Sequence, residues 1–328
     1  MSGPAAGLAA LVVVLLATPA ARAQETPASS PADAQTTGPV DENAGIDPDS
    51  RHRYRRILPI GAQKAIERGF KLPLPFGVSA MVVDSHQLMT GSNLSVALAR
   101  DKAPPADATL IPIPFVTTDR LDGHNTTVQA RADAWLFPWI DLYAAVGKAS
   151  GKVDVGVDIH LDEVLPPPVC RVHSCPDEHL NFKATVENAT FTVGALMIYG
   201  GKGWFVSATA AKTIAVATDK DRSDIESLDA AIRAGPRVPL GGKWELQPYV
   251  GVNYFDIDTD LTGSIVAEGI YPGGGDLGLR YRLNMENVYK WSGILGFNLS
   301  VGGRWFLQAE YDKSKEGHRT IGSVIFRF

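Results

Sequence analysis

The chain has 328 residues, of which 45% are hydrophobic, 20% charged and 8% aromatic, with 32 Gly, 22 Pro and 2 Cys. A formal charge of -5 removes the net positive field on which a general nucleic-acid binder depends, and two cysteines are too few for a disulfide scaffold. The charged fraction is too low for a disordered acidic chain, and the mean hydropathy of -0.02 averages over unlike segments.

Residues 1–23 read as a secretory signal peptide. Leu8 to Ala17 is an unbroken apolar run, and Ala21-Arg22-Ala23 supplies the small-x-small pattern of a cleavage point. About ten apolar residues fall well short of the roughly 20 that a spanning helix needs. Residues 24–56 are rich in Pro, Ala, Thr, Ser, Asp and Gln, too poor in large apolar side chains to offset their ordering entropy. They are expected to form a disordered leader that ends in the basic cluster Arg51-His52-Arg53-Tyr54-Arg55-Arg56, a run that reads as solvated. Residues 57–74 hold a short helix, from about Ile60 to Phe70, and a linker.

From residue 75 to 328 the pattern changes to period two, broken by Gly-rich turns. The clearest stretch is Trp244 to Tyr254, where Trp244, Leu246, Pro248, Val250, Val252 and Tyr254 alternate with Glu245, Gln247, Tyr249, Gly251 and Asn253. One face is apolar with an aromatic at each end, as in a membrane-spanning strand about 10 residues long. Strands are expected at 76–98, 124–137, 139–160, 182–199, 204–218, 223–238, 244–259, 285–300, 304–314 and 318–328. Period two alone does not separate a barrel from a soluble sandwich. The connections do, because tight turns at Phe137-Pro138-Trp139, Gly200-Gly201-Lys202-Gly203, Gly241-Gly242-Lys243 and Gly302-Gly303-Arg304 alternate with long stretches at 100–124, 161–181 and 258–284. Trp135, Phe137, Trp139, Tyr199, Trp204, Phe205, Trp244 and Trp305 cluster beside the tight turns, as a ring at a membrane interface would.

The chain ends Gly322-Ser323-Val324-Ile325-Phe326-Arg327-Phe328, with Val324, Phe326 and Phe328 on one face. This ending closely resembles the C-terminal strand of bacterial outer-membrane β-barrel proteins, and by its alternation the whole region 75–328 resembles that porin-like family. The reading is an all-β fold, a transmembrane antiparallel up-and-down β-barrel of about 10 strands with 12 as the alternative, preceded by a short N-terminal helix. The resemblance implies residence in the outer membrane, contact with outer-membrane lipid, and recognition of Val324, Phe326 and Phe328 by the barrel-assembly machinery.

Parity assigns to the lumen Gln129, Arg131 and Asp133; Lys148, Lys152, Asp154 and Asp158; Asp229, Arg233 and Arg237; Glu245 and Gln247; Lys290; Glu310 and Asp312; and Arg327. A ten-stranded barrel is only slightly wider than the eight-stranded type whose interior is filled by side chains, so both charge signs meet in a narrow space. Two functions follow. In one, Arg131, Asp133, Lys148, Lys152, Asp154, Asp229, Arg233, Arg237, Glu245, Lys290 and Glu310 are selectivity charges of a narrow channel for passive transport of small polar solutes. In the other they pair and close the barrel, which then has a structural or surface-interaction role through its long loops. The sequence leaves both open.

A barrel hydrolase is a third reading with less behind it. Asp158-Ile159-His160 and Asp256-Ile257-Asp258 superficially resemble the paired motifs of outer-membrane proteases, but Asp256 and Asp258 share the outward parity of Val252 and Tyr254. Neither His124-Asn125 nor His318-Arg319-Thr320 supplies a Ser beside a His, so no nucleophile is identified. Cys170 and Cys175 lie in one loop and are expected to form a disulfide in an oxidising compartment, in preference to a zinc site with His173 and His179. Asp256-x-Asp258-x-Asp260 has Leu261 where a calcium loop needs Gly, and Gly273-Gly274-Gly275 lacks the strand-to-helix context of a phosphate cradle. No metal, cofactor or nucleic-acid partner is expected.

Overall fold

The computed structural model describes residues 54–67, 72–105, 107–113, 116–159, 178–201, 203–217, 223–271 and 275–328. The expected signal peptide, most of the leader, His160 and the loop with Cys170 and Cys175 lie outside them. Among the described residues no helix is long and apolar enough to cross a membrane.

The chain builds ten antiparallel strands: β1 (Phe76–Arg100), β2 (Val116–Phe137), β3 (Ile140–Ile159), β4 (Glu178–Gly201), β5 (Trp204–Ala217), β6 (Ser223–Pro236), β7 (Trp244–Tyr271), β8 in an upper segment (Gly275–Asn287) and a lower one (Trp291–Val301), β9 (Trp305–Lys313) and β10 (His318–Arg327). Each pairs with the next in sequence. The ladder Gly77↔Arg327 to His86↔His318 joins β10 to β1 and closes the barrel. Two minor pieces, Ile111–Pro112 and Val238–Gly241, add to β1 and β7. The tight turns after β6 and β8 each carry a Gly pair with positive φ, Gly241-Gly242 at 96° and 59° and Gly302-Gly303 at 62° and 66°, a backbone that glycine adopts without penalty.

Alternation fixes which face each residue takes. The outer face is apolar through a band formed by Leu142, Val146, Phe191, Val193, Ile232, Val250, Val252 and Leu295, all exposed. At the short-turn end Trp139, Tyr199, Trp204, Trp244, Trp305 and Phe328 form an exposed aromatic rim. Trp135 and Phe205, expected in that rim, are instead 2% exposed. Each stands one residue out of phase: Trp135 faces Asp141 across the β2–β3 ladder, and Phe205 follows the outward Trp204.

Two features depart from an even cylinder. The β9–β10 hairpin turns back at Lys313 and His318, and above it the upper segment of β8 pairs directly with β1, from Met89↔Asn287 to Arg100↔Leu277. The wall therefore loses two strands halfway up. Strands β7 and β8 also run on to Tyr271 and Gly275, through residues expected to be a loop, because their outward acids Asp258 and Asp260 are solvated on a strand as well as they would be in a coil.

The short-turn mouth is covered from the N-terminal side. Helix α1 (Ala62–Glu67) is brought in by the Ile60 N–H, which donates to Leu136 O at 2.8 Å. Leu72 and Leu74 are buried, Trp135 N–H donates to Pro75 O, and Arg327 Nη1 donates to Leu74 O at 3.4 Å.

Candidate functional site

The interior of the barrel is the candidate site, and it is stacked in layers. Nearest the short turns, Arg327 Nη2 lies 2.9 Å from Asp133 and 3.1 Å from Asp141, and Arg131 Nη2 lies 3.5 Å from Asp141. Arg131 also covers the Tyr143 ring at 3.7 Å. In the next layer Arg233 holds Glu310 in a two-point contact, Nε at 2.6 Å and Nη2 at 2.7 Å, while Tyr249 Oη donates to the same carboxylate at 2.8 Å. Above it Arg319 bonds Asp312 through Nε at 2.9 Å and Nη2 at 2.7 Å and reaches Asp229 with Nη1.

These contacts are chords across the lumen. Arg233 is on β6 and Glu310 on β9; Arg319 is on β10 and Asp229 on β6. Buried charges persist only when paired and hydrogen-bonded, and here Arg233, Arg319 and Arg327 each reach a carboxylate on a strand that is not a neighbour, while Arg131 reaches Asp141 on the adjacent β3. The lumenal tyrosines lie flat because the residue opposite is glycine. Tyr143 faces Gly194 and Tyr249 faces Gly296, and a Cβ on either glycine would run into the ring. Ala231, Phe205 and Ile294 pack around Tyr249.

Higher in the lumen the chemistry inverts. Met89, Leu121, Val153, Leu261, Tyr281, Leu283 and Met285 form one buried apolar cluster, against which Leu94, Val96, Ile257 and Leu279 pack. Sequence reading missed this cluster because it expected a polar lumen throughout. Its signal was present in the alternation of Tyr281, Leu283 and Met285 with Arg280, Arg282 and Asn284.

Of the expected lumenal charges, Arg131, Asp133, Asp229, Arg233, Arg237, Glu245 and Glu310 lie on the inward face, as do Gln129, Gln247, Asp312 and Arg327. Four do not. Lys148, Lys152 and Asp154 share the outward parity of Leu142 and Val146, and Lys148 pairs with Glu187 at 2.6 Å on the exposed surface. They sit beyond the apolar band, where an outward charge meets water, so charge alone was a false cue to the lumen. Lys290 is turned outward by a bulge: three residues of β7 (255–257) stand opposite four of β8 (287–290), between Tyr254↔Trp291 and Asp258↔Glu286. The extra residue reverses the parity of everything above it. Asn287 then points inward, accepting from Ile257 N–H and donating to Phe255 O. Asp158 lies where only the backbone is described.

Outward charges form a collar above the band. Lys148 pairs with Glu187, Lys212 with Glu226 at 2.8 Å, Lys290 with Asp256 at 2.9 Å, and His124 with Asp84 at 3.2 Å. The Lys290 hydrogen bond holds the Asp256 carboxyl below its ordinary range, and the same bond raises the Lys290 ammonium above its own. From Ile140 to Lys148, at about 3.3 Å per residue on strands tilted about 40°, the band is roughly 20 Å tall.

No protein-family model and no curated protein matches the chain. Among solved structures it is similar to the β domain of the Bordetella autotransporter BrkA, at 10% identity over 77% of this chain and 100% of that one, with a TM-score of 0.33. It is also similar to the translocator domain of the autotransporter NalP from Neisseria meningitidis, at 12% identity over 81% and 92%, with a TM-score of 0.30. A third is the outer membrane protein OprG from Pseudomonas aeruginosa, at 10% identity over 66% and 96%, with a TM-score of 0.29.

Proposed function

We propose that the chain is a bacterial outer-membrane β-barrel closed along its lumen, which serves as an anchor that carries a strand-built rim above the membrane. The apolar band, its aromatic rim and the charged collar supply the outer surface that such a barrel needs in lipid. The observation that carries the closed state is the filling of the lumen at every level. The N-terminal segment covers the short-turn mouth, three layers of Arg–carboxylate chords cross the band, and an apolar cluster occupies the upper bore.

A channel through this interior requires the chords to break, and each is made of buried charges that leave an unpaired partner when parted. The rim is the part that presents surface. Strands β3, β4, β7 and β8 continue well above the collar, and the loops that join them are the natural contact region. The test is the permeability of vesicles holding the purified, folded chain. Small sugars and amino acids are expected to cross no faster than in protein-free vesicles, and rapid size-dependent entry would overturn the reading.

A further inference from the structure

Strand β1 changes partner where the wall changes width. The ladder between β10 and β1 ends at His86, the one between the upper segment of β8 and β1 runs from Met89, Val288 N–H donates to Leu88 O at 3.1 Å, and Gln87 stands at the changeover. A small cavity of about 30 Å³ sits there. Its lining mixes both faces of the sheet: Asn253, Phe255, Asp312 and Arg319 from the lumen side, Lys290 and His318 from the outer side. The cavity lies within the thickness of the wall, lined by residues of both faces.

The β9–β10 turn lies over this cavity. Gly317 sits so close to β1 that a Cβ there would meet His86 O at 2.7 Å. The turn is latched on Tyr289, with Lys315 Nζ 5.4 Å from the ring centroid and Glu316 Oε1 accepting from Tyr289 Oη at 3.4 Å. At the inner end, Asn253 Oδ1 and Asp312 Oδ1 are buried acceptors without a hydrogen-bond donor, on residues only 1% and 2% exposed. Buried acceptors of this kind are costly and uncommon.

We propose that this cavity is a lateral binding pocket for the hydrogen-bond-donating end of a small amphiphile. A hydroxyl or primary amine reaches Asn253 and Asp312, and an apolar body rests between Phe255, Tyr289 and Leu88. The cavity as it stands has room for about one water, so a ligand enters by lifting the turn off Tyr289. A hydrocarbon without a donor leaves both acceptors dry and gains nothing from the inner end, which makes the donor the discriminating group. The lining residues Asn253 and Lys290 adjoin the outward pair Tyr254 and Trp291 at the upper edge of the apolar band, so the ligand arrives from the membrane interface. That approach rests on the outer-membrane reading, while the pocket chemistry is independent of whether the lumen conducts.

The test uses the folded full chain in detergent, titrated calorimetrically with 4-ethylphenol, phenethylamine and ethylbenzene. At least one donor-bearing probe is expected to bind about tenfold or more tightly than ethylbenzene, and the stronger of the two identifies hydroxyl or ammonium as the preferred group. Asn253→Leu should erase that preference and Asn253→Asp should keep it. Should Asn253→Leu fail to fold, Leu88→Trp fills the mouth without touching the buried network and should abolish binding. Equal binding of all three probes overturns the proposal, as does a preference unchanged in Asn253→Leu or native-like binding by Leu88→Trp.

Discussion

The lower and upper halves of the lumen are filled by opposite chemistry. Behind the apolar band, the bore holds Arg131, Asp133, Asp141, Arg233, Glu310, Asp312, Arg319 and Arg327 in paired layers. Above the collar it holds Leu121, Val153, Leu261, Leu283 and Met285. The outer face inverts at the same height, from apolar to charged. Where the surroundings are lipid the wall spends its apolar residues outward and the interior must be polar and paired. Where they are water the same alternation places apolar residues inside, as in a soluble barrel. One strand such as β7 obeys both regimes along its length, with Val250 and Val252 outward below and Leu261 inward above.

This contrast predicts a graded response to substitution. The largest effect belongs to the charged half: Arg233→Ala leaves Glu310 buried without its partner and should cost about 3–5 kcal/mol, read as a lowered temperature at which the folded barrel loses its fast gel migration. In the apolar half Leu283→Ala creates a cavity in the cluster and should cost about 2–5 kcal/mol in the same assay, with no dependence on salt. Val146→Arg, on the outer band, should cost about 2–4 kcal/mol in lipid and far less in a variant displaced above the collar. The smallest effect is expected for Lys148→Gln, whose pairing with Glu187 is solvent-exposed, and which should leave the unfolding midpoint within error. A Lys148 substitution as damaging as that of Arg233 would mean that the inside and outside of β3 have been exchanged.

Much of the fold was legible in the sequence because period two and glycine turns are local signals. The strands at 204–218, 223–238 and 318–328 agree with the structure to within a residue or two at each end. The first strand is one long element, Phe76–Arg100, despite its polar middle. The interior was legible only where parity ran unbroken from a clear apolar face, as for Asp229 and Arg233 on β6 or Glu310 on β9. It failed at Lys290, because a bulge changes parity without any residue that advertises it. It failed at Lys148, Lys152 and Asp154, because a charged run was taken as lumenal although Leu142 and Val146 on the same strand fixed the opposite phase. Arg319 and Asp141 escape a sequence reading because each lies next to a turn, and their partners Asp229 and Arg327 come from strands far away in sequence.

The most direct test of the closed interior is single-channel conductance in planar bilayers, recorded for the native chain and for Arg233→Ala. The native barrel should insert and remain silent, with short openings in the variant whose central chord is cut. Discrete, long-lived conductance steps from the native chain, unchanged by Arg233→Ala, would contradict the account.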